Sequence, residues 1–407
     1  MDYTLFARSI MQDNHLIMIG LCLLGAVLLA EAGHRLLRLP TITGYLITGL
    51  VFGPVGLRAI DPDVMRQLAL FSDIAIGILL FELGRHLDWH WLRREPRLLA
   101  LALIESVAVF AAVYALFSLL GIEPVAAGLL AILAMTTSPV ILLPILRETR
   151  AEGRVSEWAR LFAAVNNALA LVLAVLLISL ARFAREDGWR VALLDPAWEL
   201  VGAVGLGVAC AFLLCLFLRW LRQRGQRDVL PMLFLFGAIV AAVGIAQALG
   251  VPPLLAVLSL GIATRNIGRG EALLGLNIDH LRSLFVCVLF VQIGASLDLT
   301  AWLQAPLWAA LYLAVRGAVR IAVPWLLAPF SGISHAQGGW LGVVLLPMSS
   351  LAVLTMHGTV AAIPELSAQT TAIALAALCL LEAIGPITTR WALRRAGETA
   401  AEQGAKA

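Results

Sequence analysis

The chain has 407 residues, 61% of them hydrophobic and 14% charged, against roughly 25% charged in soluble domains. A water-soluble core cannot hide that much apolar surface, and the apolar residues come in blocks of about 20, the length that crosses roughly 30 Å of hydrocarbon. A soluble fold is excluded, and the net charge of +3 reads as a topology signal rather than a nucleic-acid footprint.

In chain order the blocks predict an all-α membrane protein of about thirteen transmembrane helices, at 15–34, 41–58, 66–84, 97–119, 125–146, 158–181, 197–219, 229–249, 253–265, 281–298, 306–329, 337–357 and 367–390. The first block is longer than a signal-peptide core and lacks a strongly basic segment before it, so it reads as a span. The second and ninth are short and carry Gly and Pro. The third carries Asp73 and Glu82, the fourth Glu105, the sixth the pair Asn166-Asn167, and the thirteenth Glu382. The fifth is interrupted at Thr136-Thr137-Ser138-Pro139 and the twelfth at Pro347-Met348-Ser349-Ser350. The eleventh carries Arg316, with Arg320 one turn on and placed to snorkel. Trp89, Trp91, Trp189, Trp198, Trp302 and Trp308 stand near span ends, as interfacial rings do. All five cysteines lie inside spans without ligand spacing, so neither a disulfide nor a metal site is expected. No nucleophile elbow or phosphate loop points to an enzyme, and no cofactor is expected.

Sorting the 29 basic residues by loop puts 21 on one side and 6 on the other, with Arg316 and Arg320 inside a span. The richer side is cytoplasmic by the positive-inside rule. The N-terminus is then outside and the C-terminus cytoplasmic.

The third span ends Leu80-Phe81-Glu82-Leu83-Gly84-Arg85-His86-Leu87-Asp88, and the tenth repeats the pattern as Leu289-Phe290, Gly294 and Leu297-Asp298. These two ends face opposite sides. The second span follows Leu39-Pro40 as the ninth follows Pro252-Pro253, and the fifth and twelfth break at matching places. The chain therefore reads as one transporter domain over 1–407. It holds a first repeat at about 15–181, a linker helix at 197–219, an inverted second repeat at about 229–392, and a short cytoplasmic tail at 393–407. Inverted repeats with interrupted helices place a substrate site near the membrane midplane.

At 1.5 Å rise per residue, Pro139, Pro347, Asn166-Asn167 and Arg316 all fall near that midplane. A proline there removes a backbone donor and frees a carbonyl, which needs a protein or water partner in lipid. The hydroxyls of Thr136, Thr137, Ser138, Ser349 and Ser350 are at hand. Arg316 is costly in hydrocarbon and should face the bundle interior against an acid: Glu105, Asp73, Glu82 or Glu382. The bland alternatives are ordinary proline kinks, structural acids, and asparagines that serve as helix–helix glue.

Several stretches resemble the second cation:proton antiporter family, the sodium/hydrogen exchanger-like monovalent cation:proton antiporters. They are Arg38-Leu39-Pro40 with Gly44-Tyr45-Leu46, Gly49 and Gly53-Pro54; Leu79-Leu80-Phe81 with Gly84 and Leu87-Asp88; Thr136-Thr137-Ser138-Pro139-Val140; and Phe290 with Ile293-Gly294 and Leu297-Asp298. The resemblance covers roughly 15–392. It implies a mobile core and a dimerisation domain, crossed discontinuous helices 5 and 12 beside the ion site, elevator-like exchange of Na⁺ or K⁺ for protons, and a homodimer in a bacterial-type inner membrane. Ion-binding positions would be Asn166, Asn167, Thr136, Thr137, Ser138, Ser349, Ser350 and Arg316. The chain departs from the family's pattern in helix 6, where Asn166-Asn167 stand in place of a pair containing aspartate. It departs again in helix 12, where Ser349-Ser350 replace a Gly-Glu pair. Asparagine does not titrate, so a proton-coupled cycle needs Glu105, Glu82 or Asp73. Two other readings stay open: a carrier of anions or small carboxylates on the same scaffold, drawn by Arg316 and helix N-termini, and a membrane scaffold or sensor that has lost transport.

Overall fold

In the computed structural model, the residues described are 15–37, 39–54, 56–60, 62–85, 87–94, 96–183, 189–223, 229–267, 279–296, 305–348 and 368–400. Their secondary structure is helical throughout. The helices are α1 His15–Leu37, α2 Thr41–Phe52, α3 Pro62–Arg85, α4 Trp89–Arg94, α5 Pro96–Leu119, α6 Pro124–Met135, α7 Pro139–Glu148, α8 Arg154–Phe183, α9 Trp189–Gln223, α10 Val229–Leu249, α11 Pro253–Asn266, α12 Asp279–Ser296, α13 Pro306–Leu327, α14 His335–Val344 and α15 Ala368–Arg395. Each expected span overlaps one of these. The fifth is α6 and α7 together, and the twelfth is α14, whose expected continuation with Ser349 and Ser350 lies outside the described residues. Among the described residues, eight helical stretches are long and apolar enough to cross a membrane.

The chain divides into two compact units. The first, 1–76 with 278–299, holds α1, α2, the start of α3 and α12. Here α2 is gripped through glycines: a Cβ on Gly44 would stand 2.3 Å from the Ala30 Cα of α1, and one on Gly49 would stand 2.0 Å from the Val291 carbonyl of α12. Small residues allow such backbone approach where lipid offers no hydrophobic drive for association.

The second unit, 77–277 with 300–407, holds the rest. Within it the end of α3 crosses α11 in the same manner, Gly84 lying against the Leu258 carbonyl at 2.5 Å from an added Cβ and Gly261 against the Phe81 carbonyl at 2.3 Å. Gly84 and Gly294 are the glycines of the two LF–G–LD stretches. The pairs Gly49–Gly294 and Gly261–Gly84 are therefore repeat mates, one in each unit, and the motif marks a helix crossing.

At the heart of the second unit, Ala126–Met135 of α6 are all buried, packed by Val109, Val113 and Phe117 of α5, Tyr312 of α13, and Ile373, Ala377 and Leu381 of α15. Helix α9 instead shows Phe212, Leu213 and Leu216 outward, as suits a lipid-facing helix. The break between α6 and α7 follows from Pro139. Its ring disfavours a helical Ser138, and its missing N–H fits the first position of a new helix. Thr136 and Ser138 are accordingly extended, and the Ser138 hydroxyl caps α7 by accepting from Ile141 N at 3.3 Å. Helix α14 ends at Val344, and beyond it Ser138 N donates to the Pro347 carbonyl at 3.0 Å. The break between α6 and α7 is thus in contact with the segment that follows α14.

Candidate functional site

Five elements of the second unit converge on this contact. Helix α6 ends with carbonyls that have no intrahelical donor, and α13 supplies the donors. Arg316 is 1% exposed and Arg320 0%. Arg316 Nε donates to Ala134 O (3.0 Å), Nη2 to Thr136 O (3.0 Å), and Nη1 to Leu346 O past the end of α14. Arg320 Nη2 donates to Ala134 O (3.0 Å), Thr136 O (3.1 Å) and Met135 O, and its Nη1 to Thr137 Oγ1 (2.8 Å). Two guanidiniums hold the carbonyls that the break sets free. The protein partners that those carbonyls need are therefore arginine side chains, and fixed cations already occupy them. Arg320 does not snorkel. It sits one turn from Arg316 on the same helix face and is as deeply enclosed.

The carboxylate is Glu105 of α5, which is fully buried. It pairs with Arg320 Nη1 at 3.1 Å rather than with Arg316. Its Oε2 accepts from Asn166 Nδ2 (3.0 Å). Asn166 Nδ2 also reaches Thr137 Oγ1 (3.3 Å), and its Oδ1 accepts from Ser106 Oγ. Asn167 Nδ2 donates to Thr137 O (2.7 Å) and Ala163 O (2.8 Å), while its Oδ1 is buried with no hydrogen-bond partner among the described residues. Tyr312, one turn before Arg316, closes the floor with its hydroxyl 3.3 Å from Leu130 O.

Among the described residues, two guanidiniums face one carboxylate, the C-terminal ends of α6 and α14, each equivalent to roughly half a negative charge, and the N-terminal end of α7, equivalent to roughly half a positive one. The positive centre that favoured an anion carrier is offset in large part by Glu105 and the two helix C-termini, although helix 6 contributes no acid.

The structure thus gathers Thr136, Thr137, Ser138, Asn166, Asn167, Arg316 and Glu105 around one break, with Pro139 and Pro347 at its edges. The other acids are not among these hydrogen-bond partners. Glu82, 1% exposed, pairs with Arg147 near the end of α7. Asp73 is half-buried on α3 and belongs to the first unit. Glu382 is buried on α15, but Arg316 finds its partners in backbone carbonyls. Arg320, Ser106 and Tyr312 are the members that sequence reading missed. The four-residue spacing of Arg320 from Arg316 was the available signal for the first. Among the described residues no cluster of three or more His, Cys, Asp or Glu side chains has the arrangement of a metal site.

An interrupted helix that meets the end of another, lined by buried ionic groups and enclosed in apolar spans, marks an integral membrane protein with a charged centre. The chain belongs to the sodium/hydrogen exchanger family, whose transmembrane profile matches residues 20–395. It is 26% identical over 343 residues to the glutathione-regulated potassium-efflux system protein KefC of Klebsiella pneumoniae, covering 82% of this chain and 53% of that protein. Against KefC of Salmonella typhi it is 27% identical over 345 residues, with the same coverage. The chain therefore spans about half the length of these relatives. The sodium proton antiporter MjNhaP1 of Methanocaldococcus jannaschii at pH 8 has a similar fold, with TM-score 0.60 at 16% identity over 96% of this chain and 98% of that one. A second structure of the same antiporter gives TM-score 0.65 at 18% identity, covering 93% and 94%.

Proposed function

We propose that this protein exchanges a monovalent cation, Na⁺ or K⁺, for protons, and that Glu105 is the carboxylate for which they compete. The observation that carries this reading is the pairing of Glu105 with Arg320 and Asn166 in a central network where it is, among the described residues, the sole acid. Asn167 Oδ1, a buried acceptor without a donor among the described residues, is the adjoining neutral ligand for a partly dehydrated cation. Protonation removes the Glu105 charge, weakens its hold on Arg320 and a cation alike, and leaves Arg320 on the α6 carbonyls.

The cycle is an elevator-like movement of the helices that meet at the break, in a homodimer. The two repeats, about 15–181 and 229–392, are joined by the linker helix 197–219, and the tail from 393 is cytoplasmic. The 21-to-6 split of basic residues supports that orientation. Family membership and the two relatives, one a potassium-efflux protein and one a sodium proton antiporter, support cation exchange. Glu105 and the two helix C-termini offset most of the positive charge of the centre, which weakens the motive for an anion carrier.

The test is proton flux in proteoliposomes on addition of Na⁺, K⁺ or Li⁺ across pH 6–9. Glu105→Gln abolishes cation-driven flux, whereas Asp73→Asn and Glu82→Gln retain it. Continued flux in Glu105→Gln, with loss in either of the others, moves the proton site elsewhere. Flux driven only by anions defeats the reading altogether.

A further inference from the structure

After α15 the chain turns back onto the start of α8. The Glu398 carboxylate, 5% exposed, accepts from Val155 N (2.7 Å), Ser156 N (2.7 Å) and Ser156 Oγ (2.7 Å). Its backbone docks as well: Glu152 N donates to Glu398 O (3.0 Å) and Ala400 N to Thr149 O (3.1 Å). A helix N-terminus presents unpaired N–H groups and roughly half a positive charge. The residue before α8 is Gly153, which has no side chain to cap with, so the cap comes from a segment more than 240 positions away. Gly153 sits at φ +154°, and a Cβ there would stand 2.4 Å from Glu398 Cδ.

Two further ties fasten the same end. Arg390 of α15 pairs with Glu148 of α7 at 3.3 Å, and Arg154 Nη1 donates to Gly332 O, just before α14, at 2.6 Å. The elements fastened here are the ones that meet at the break: α7 starts at it, the segment after α14 touches it, and α8 carries Asn166 and Asn167. Ten residues separate Ser156 from Asn166, about 15 Å along the helix axis.

We propose that Glu398 is a positioning residue: docked on the first turn of α8, it binds α7, α8 and α15 into one body, so that the asparagine pair keeps its register with the break through the transport cycle. The inference rests on the exchange function proposed above, and it gives the tail a mechanical part in that function.

The experiment uses the full chain in proteoliposomes and follows two readouts, hydrogen exchange at amides 154–158 and the cation dependence of proton flux. Glu398→Gln keeps the side-chain size but gives up the charge and one acceptor oxygen. Amide exchange at 154–158 rises about tenfold or more, the maximal flux falls several-fold, and the half-saturating cation concentration stays within about twofold. Gly153→Ala displaces the same carboxylate from below and reproduces both effects, and combining it with Glu398→Gln adds little. Should either variant fail to fold, Ser156→Ala, which deletes one of the three bonds, gives the same pattern at smaller amplitude. Wild-type protection at 154–158 in these variants overturns the inference, as does an unchanged maximal flux or a loss confined to cation affinity. Glu105→Gln separates the two proposals: it stops flux yet leaves exchange at 154–158 as in the wild type. If the unaltered protein carries no cation, the exchange function falls, and the amide readout still decides whether Glu398 secures α8.

Discussion

Glu105 and Arg320 form an ion pair with neither partner exposed, so its energetics are those of desolvated charges. Such a pair is a modest source of net stability, but removing one partner strands the other and costs about 3–5 kcal/mol. Glu105→Gln should therefore lower the thermal midpoint in detergent by several degrees, and Glu105→Gln with Arg320→Gln should lower it by less than the two single losses added together, although the α6 carbonyls lose a donor. A double loss equal to or larger than that sum would show that the two side chains do not act as a pair. The acid, the asparagines and Arg316 were legible in the sequence, because a charge in the middle of an apolar run has to find a partner inside the protein. Arg320 was not, since a position one turn nearer the span end fits both a snorkelling and an enclosed side chain. The enclosure comes from α6 ending at Met135, and that is a tertiary fact. Nor did the sequence show that the freed carbonyls would be filled by arginine. Proline marks where a carbonyl is freed, and packing decides which donor reaches it.

Among the elements, the interrupted helices and the glycine crossings follow from local chemistry that repeats. Pro139 dictates a new helix start, and the extended Thr136–Ser138 stretch is the consequence. The two LF–G–LD stretches were readable as an inverted repeat, but the reason for their glycines emerged only from the partner helices, whose carbonyls lie within 2.5 Å of an added Cβ on Gly84 and 2.1 Å on Gly294. A methyl group there collides with backbone, which cannot swing aside as a side-chain tip can. Gly84→Ala and Gly294→Ala should both lower the thermal midpoint, each acting in its own unit. Gly205→Ala, in α9 with nothing within 4 Å of an added Cβ, should raise it slightly, since alanine is favoured over glycine in a helix by up to about 1 kcal/mol. Equal midpoints for all three variants would mean that the close crossings contribute nothing to stability.

For the whole molecule, the exchange proposed for this chain has its stoichiometry limited by the acids at its centre, because Asn166-Asn167 do not titrate. A carrier balances charge with the groups that titrate, and the central network offers one carboxylate against one monovalent cation. If Glu105 holds either a proton or a cation but not both, each cycle moves one for one and no net charge crosses the membrane. One uncompensated charge would couple to the potential with about 2.3 kcal/mol per 100 mV, enough to shift the equilibrium gradient about fiftyfold. We therefore expect exchange driven by a pH gradient to reach the same cation gradient at 0 and −100 mV, with the potential clamped by an ionophore for an ion that the protein does not carry. A fiftyfold shift would require a second proton per cation and hence a second titrating acid, with Glu382 the first to test by Glu382→Gln. Asn167→Asp is no shortcut to the same end. Its amide donates to the carbonyls of Thr137 and Ala163 at 2.7 and 2.8 Å, so a carboxylate in that place faces two acceptors and loosens the break that it would have to serve.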